Sequence, residues 1–120
     1  MYSDKVIKRF KNPKHAGEIK NPDSIGEIGN LRCGDIIKVY INVKDKKITD
    51  VKFQTYGCVP AIAVSDMLCE LAIGKTLEDA KNLEFKDVIK PLGDLPPIKY
   101  HCSKMAIDAL KKAIEEYEKK

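Results

Sequence analysis

Tryptophan is absent, and aromatic residues make up only 7% of the 120 residues. No apolar run approaches the roughly 18 residues needed to cross a bilayer. The opening stretch Met1-Tyr2-Ser3-Asp4-Lys5 lacks the apolar centre of a secretory signal. These absences predict a cytoplasmic protein with no membrane association. Charge of one sign is nowhere concentrated. The 22 Lys and Arg nearly balance 18 Asp and Glu, leaving a net charge of +4. Nucleic-acid binding usually needs a denser basic stripe interleaved with aromatics, so no nucleic-acid partner is expected. The sole basic grouping is Lys5, Lys8, Arg9, Lys11 and Lys14. It reads first as a solvated helix face and second as a docking surface for an acidic protein. Internal repeats, low-complexity tracts and linkers are also missing. The chain therefore reads as one domain over 1–120, large enough for one core and too small for two.

Cysteine is scarce too, with four in the chain. In a reducing compartment they point to metal or sulfur chemistry more than to disulfides. The plain alternative is that some are small buried hydrophobes.

The hydrophobic pattern predicts an α+β fold, a small antiparallel sheet of about three strands covered on one face by helices. A short helix is expected over Ser3–Phe10, with Ser3 as its cap and Val6, Ile7 and Phe10 on one face. Asn12-Pro13 ends it, because the residue before proline is pushed out of helical geometry. A strand is expected at Ser24–Ile28. Ile37, Val39, Ile41 and Val43 alternate, then Lys44–Lys47 turns the chain, and Val51, Phe53 and Thr55 alternate again. This is a hairpin with one buried face. Pro60 suits the first position of a helix running to about Ile73 and stopping at Gly74, with Val64, Leu68 and Leu71 inward and Ala61 and Met67 at the margins. Thr76 reads as the cap of a further helix with Asp79 at its third position. Leu77, Ala80 and Leu83 are expected inside, and Phe85–Leu92 as another short helix. A long final helix from about Ser103 to Tyr117 carries Ala106, Ala109, Leu110, Ala113, Ile114 and Tyr117 on one side.

The candidate chemistry gathers at element ends. Tyr100-His101-Cys102-Ser103 follows the stiff run Leu95-Pro96-Pro97-Ile98-Lys99, where unpaired amides and the helix dipole favour a thiolate. Cys102 lies one turn before Ala106, on the stripe expected to lean toward the sheet. Cys33-Gly34-Asp35 immediately precedes the first hairpin strand, and Gly57-Cys58 follows the second. In a hairpin those two points lie at the same end of the sheet. Three sulfurs, one imidazole and one carboxylate exceed by one the needs of a closed tetrahedral zinc site. The surplus fits a site that exchanges ligands. Each residue also has a duller reading. Asp35 alone is an ordinary turn residue, His101 a helix-start residue, and a single cysteine is most often just buried. Spacing does not separate zinc from iron–sulfur.

The ordered set Tyr2–Ile7, Asn12-Pro13, Cys33-Gly34-Asp35, Gly57-Cys58 with Ala61-Ile62-Ala63, Gly74–Leu77 and Leu95–Lys99 leading into His101-Cys102-Ser103 resembles the IscU/NifU family of iron–sulfur cluster assembly scaffolds. The lack of an insertion between Cys58 and His101 is closer to the compact IscU type than to the longer zinc-dependent SufU type. The resemblance implies a non-enzymatic scaffold that builds a transient [2Fe-2S] cluster and passes it to apo-proteins. Sulfur would come as persulfide from a cysteine desulfurase, and electrons from a ferredoxin-like donor. It implies Cys33, Cys58 and Cys102 as thiolate ligands, with Asp35 or His101 as the fourth. Cys102 would be the first sulfur acceptor, and Asp35 would keep the cluster labile. Iron would be the cargo, with zinc in the cluster-free form. Leu95–Lys99 resembles an Hsp70-type chaperone recognition motif, and otherwise is a stiff spacer. A monomer or a cluster-bridged homo-oligomer is implied.

The chain departs from the family pattern at Val59-Pro60, where glycine and a small residue are usual, and at Val64-Ser65-Asp66, in place of a serine run. Cys69, 11 residues beyond Cys58, is expected to pack in the core. Two other classes compete. One is a SufU-like zinc protein that activates a desulfurase and accepts its sulfur. The other is a cysteine hydrolase built on Cys102, His101 and Asp35. Adjacent residues rarely aim a base at its nucleophile, and no oxyanion motif is evident, which disfavours the hydrolase.

Overall fold

The computed structural model describes residues 4–30, 35–55, 59–92 and 100–119. Helix α1 spans Asp4–Lys11, followed by strands β1 (Ser24–Asn30), β2 (Asp35–Lys44) and β3 (Lys47–Thr55). Helices α2 (Val59–Ala72), α3 (Leu77–Lys81), α4 (Phe85–Leu92) and α5 (Tyr100–Glu118) complete the order. The three strands form one antiparallel sheet in the order β1-β2-β3. Helices α2 and α5 pack on one face of it, and α1 and α4 lie against α2.

The period-2 pattern of β2 and β3 sets the sheet's buried face. Ile37, Val39 and Ile41 meet Ile48, Val51 and Phe53 there, all nearly inaccessible. A bulge between Asn42 and Val43 precedes the hairpin turn. That turn places Asp45 and Lys46 at φ 54° and 65° without a glycine. Such a left-handed pair matches the twist of the flanking strands. Lys46 is held there by its carbonyl, which accepts from the Leu77 N–H at 3.0 Å.

The free edge of β3 is covered at two places. Gly17 N–H donates to Phe53 O at 2.8 Å, and Phe53 N–H to His15 O at 3.0 Å. Farther along, Ile48 N–H donates to Lys75 O and Gly74 N–H to Ile48 O, both at 2.8 Å. Exposed strand edges invite pairing with other chains, and these straps occupy this one at Ile48 and Phe53.

Several expectations hold. The Asp79 N–H donates to Thr76 Oγ1 at 3.1 Å, so Thr76 caps α3. Leu77, Ala80 and Leu83 are buried, and Gly74 ends α2 at φ 89°. Others differ from the structure or fall on residues it does not describe. Ser3 lies outside the described residues, and Phe10 is 38% exposed, so Val6 alone anchors α1 firmly in the core. Helix α2 begins at Val59 and not at Pro60, which still falls in the first turn. It is buried on nearly every side from Ala63 to Cys69, because α1, α4, α5 and the sheet surround it. Met67, expected at a margin, is therefore core. Helix α5 begins at Tyr100, three residues earlier than its apolar stripe indicates.

Candidate functional site

The candidate ligands are spread along the chain, and the backbone brings their elements to one end of the sheet. Asn30 pairs with Asp35 at the last rung of the β1–β2 ladder. Thr55, the last residue of β3, pairs with Ile37 two residues further along β2. Val59 follows Thr55 by four residues, so α2 starts within about 14 Å of that strand end.

Helix α5 arrives at the same end through its contact with β1. Ser24 Oγ donates to Ala113 O at 2.6 Å. Two residues on, Gly26 lies so near the helix that an added Cβ would collide with the Ala109 carbonyl and the Ala113 amide. Strand and helix thus run in opposite directions. From Gly26 to Asn30 the strand climbs about 13 Å. From Ala109 back to Tyr100 the helix runs the same way by about 13 Å. The first turn of α5 is therefore level with the Asn30–Asp35 rung. Glycine at 26 and alanines at 106, 109 and 113 permit this close approach, with Ala106, Ala109 and Ala113 fully buried.

The backbone accordingly puts Asp35 at the opening of β2, and His101 and Cys102 in the first turn of α5. His101 and Cys102 are inside the helix, not ahead of it as the sequence pattern indicates. Cys33, Cys58 and Leu95–Lys99 lie outside the described residues, as do the side chains of Asp35, His101 and Cys102. Cys33 is two residues before Asp35 in the chain, and Cys58 one before Val59. Near this end Thr55 Oγ1 is buried with no hydrogen-bond partner among the described residues. Among the described residues no group of three His, Cys, Asp or Glu could hold a metal. No described helix is long and apolar enough to cross a membrane.

Cys69 is a thiol of the opposite kind. It is 1% exposed within the core. Burial pushes its titration well up, and the nearby Asp66 and Asp50 charges push the same way. A thiol held protonated in the last turn of α2 is inert packing.

One polar cluster escaped the sequence reading. Arg9 forks between α2 carboxylates, with Nη1 to Asp66 Oδ2 and Nη2 to Glu70 Oε2, each at 2.8 Å. The other Asp66 oxygen accepts the His15 backbone N–H at 2.7 Å. Asp66 is 1% exposed. It ties α1, α2 and the His15–Gly17 strap together. The available signal was a lone aspartate inside the apolar run from Val59 to Cys69.

A three-stranded sheet with helices on one face, and with strand ends and two helix N-termini brought toward one rim, defines an α+β domain. The model of the family described as NifU-like N terminal domain matches residues 1–120. The chain belongs to that family. It is 50% identical over 120 residues to the iron–sulfur cluster assembly scaffold protein IscU 1 of Archaeoglobus fulgidus, covering 100% of this chain and 78% of the relative. It is 42% identical to the corresponding IscU of Escherichia coli K12, covering 99% and 95%. Among solved structures it superposes, at TM-score 0.76 and 29% identity, on a candidate scaffold protein for the SUF system of Fervidobacterium islandicum, covering 94% and 96%.

Proposed function

We propose that this protein is a scaffold on which iron–sulfur clusters are assembled and from which they pass to apo-proteins. The observation that carries the reading is the common rim: the Asn30–Asp35 rung, the end of β3 and the first turn of α5 lie at one level. The donor set suits the cargo. Thiolates are soft ligands that iron–sulfur cores prefer, and a carboxylate is a harder, poorer one. In this reading Cys33, Cys58 and Cys102 bind the nascent [2Fe-2S] cluster, and Asp35 or His101 completes the set. The protein turns over no substrate of its own.

Sulfur enters at Cys102. Its thiolate attacks the outer sulfur of a persulfide on a cysteine desulfurase, and the desulfurase thiolate leaves. A first-turn position supports this, because free amides and the helix dipole stabilise the attacking anion. Cys69, buried and protonated, does not compete. Electrons from a ferredoxin-like donor reduce the transferred sulfur to sulfide. Leu95–Lys99 is the candidate contact for an Hsp70-type chaperone.

Anaerobic purification tests the reading. A brown protein with stoichiometric iron and acid-labile sulfide is expected. A colourless protein that retains zinc and stimulates a desulfurase would replace it with the SufU-like alternative. The near full-length identity to proteins named IscU favours the former.

A further inference from the structure

Lys5, Lys8, Lys11 and Lys14 are exposed, and none has an acidic partner among the described residues. Arg9, on the same helix, differs: Asp66 and Glu70 neutralise it. The four lysines do not sit on a plain convex face. They line a groove of about 530 Å³, together with Arg9, Asn12 and Asp66 and with the apolar Met67 of α2 and Pro91 of α4. An ordinary solvated helix face needs no such concavity and no apolar lining.

The spacing of the charges selects the occupant. Lys5 to Lys11 covers about 9 Å of helix, and Lys14 continues the row past its end. A compact anion such as phosphate cannot reach along that row. An extended or helical acidic segment can, with carboxylates toward the lysines and apolar side chains toward Met67 and Pro91. Such a segment is held by charge at the rim and by apolar contact within. We propose that this groove docks an acidic, amphipathic segment of a partner protein. The proposal is independent of what the cysteine site holds, and it stands or falls separately.

The test is fluorescence anisotropy with the full chain and a labelled peptide of repeated units, two glutamates and one leucine. Wild type should bind. Lys8→Glu with Lys11→Glu should lower affinity by about tenfold or more, since each reversal removes a rim attraction and adds a repulsion. Lys44→Glu with Lys47→Glu, the same charge change on the hairpin, should cost less than about twofold. Lys8→Gln with Lys11→Gln gives a milder loss and stands in if the reversal unfolds α1. The proposal is overturned if wild type does not bind, or if both charge reversals weaken binding equally. It also fails if a probe with serine for leucine binds as tightly, or if inorganic polyphosphate competes as well per charge.

Discussion

The buried Arg9–Asp66 pair is where the largest loss is expected, and removing Arg9 should cost more than removing Asp66. The Asp66 carboxylate is 1% exposed, while Arg9 is 18% and Glu70 44% exposed. Arg9→Ala leaves a buried carboxylate with only the His15 N–H, which should cost about 3–5 kcal/mol. Asp66→Ala leaves the more accessible guanidinium free to hydrate and strands the His15 amide, at about 2–4 kcal/mol. For 120 residues a loss of about 3 kcal/mol lowers Tm by about 12 °C. Urea unfolding of the two single variants and the double gives the coupling directly. It should be about 2–3 kcal/mol for Arg9 with Asp66, and about 0.5 kcal/mol for Arg9 with exposed Glu70. Salt should leave the first nearly unchanged and erase the second.

The loss should also be local. Asp66 fixes His15, whose carbonyl accepts from Phe53. Hydrogen exchange at the Phe53 and Gly17 amides should therefore accelerate in Asp66→Ala more than exchange elsewhere in the sheet. A coupling below about 1 kcal/mol, or one abolished by salt, would mean that the pair is an ordinary surface contact and that the strap is held by its backbone bonds alone.

Three further outcomes follow from the packing and the site. Gly26→Ala drives a methyl into the α5 backbone and should cost about 1–3 kcal/mol in a thermal melt; an unchanged Tm would mean that β1 and α5 are not in this register. Cys69→Ala should flatten the alkaline limb of the stability profile. The unfolded thiol ionises near 9.0 while the folded one stays protonated, so the folded state binds the extra proton and wild-type stability falls above that pH by up to about 1.4 kcal/mol per unit. Denaturation across alkaline pH reads this out, and equal slopes would refute it. Asp35→Ala should slow cluster loss to an apo-acceptor, followed by the decay of visible absorbance in the scaffold; equal or faster loss counts against a lability role for the carboxylate.

What sequence alone could reveal depended on how many neighbours an element has. The hairpin is covered on one face, so Ile37, Val39 and Ile41 show a clean period of two, and α5 shows a clean stripe for the same reason. Helix α2 is enclosed on almost all sides, so its pattern loses its polar face and Met67 looked marginal. The Arg9–Asp66 pair spans 57 residues, and nothing local marks a contact at that distance. The straps on β3 left only Gly17 and Gly74 as signs, since their bonds run through backbone atoms that carry no residue identity. The site's ends were legible from hairpin topology, but the level of α5 was not. It depends on Gly26 meeting Ala109 and Ala113, a fit between two elements that neither announces alone.

That fit has a consequence for the chemistry. A scaffold must hold soft ligands near enough to share a cluster, yet not so deeply that burial holds their thiols protonated. Cys69 illustrates the cost of depth: enclosed in the core and near Asp66, far from any helix start, it stays protonated. Thiols at helix starts escape this, because the first-turn amides lack partners and offer themselves to an anion. By letting α5 lie close along β1, with its first turn level with the Asn30–Asp35 rung, the small residues at 26, 109 and 113 bring such a helix start to the rim. On this argument, substitutions that lift α5 away from β1 should impair persulfide acceptance at Cys102 before they unfold the domain, and Gly26→Ala assayed by persulfide labelling below its melting range is the case that decides it.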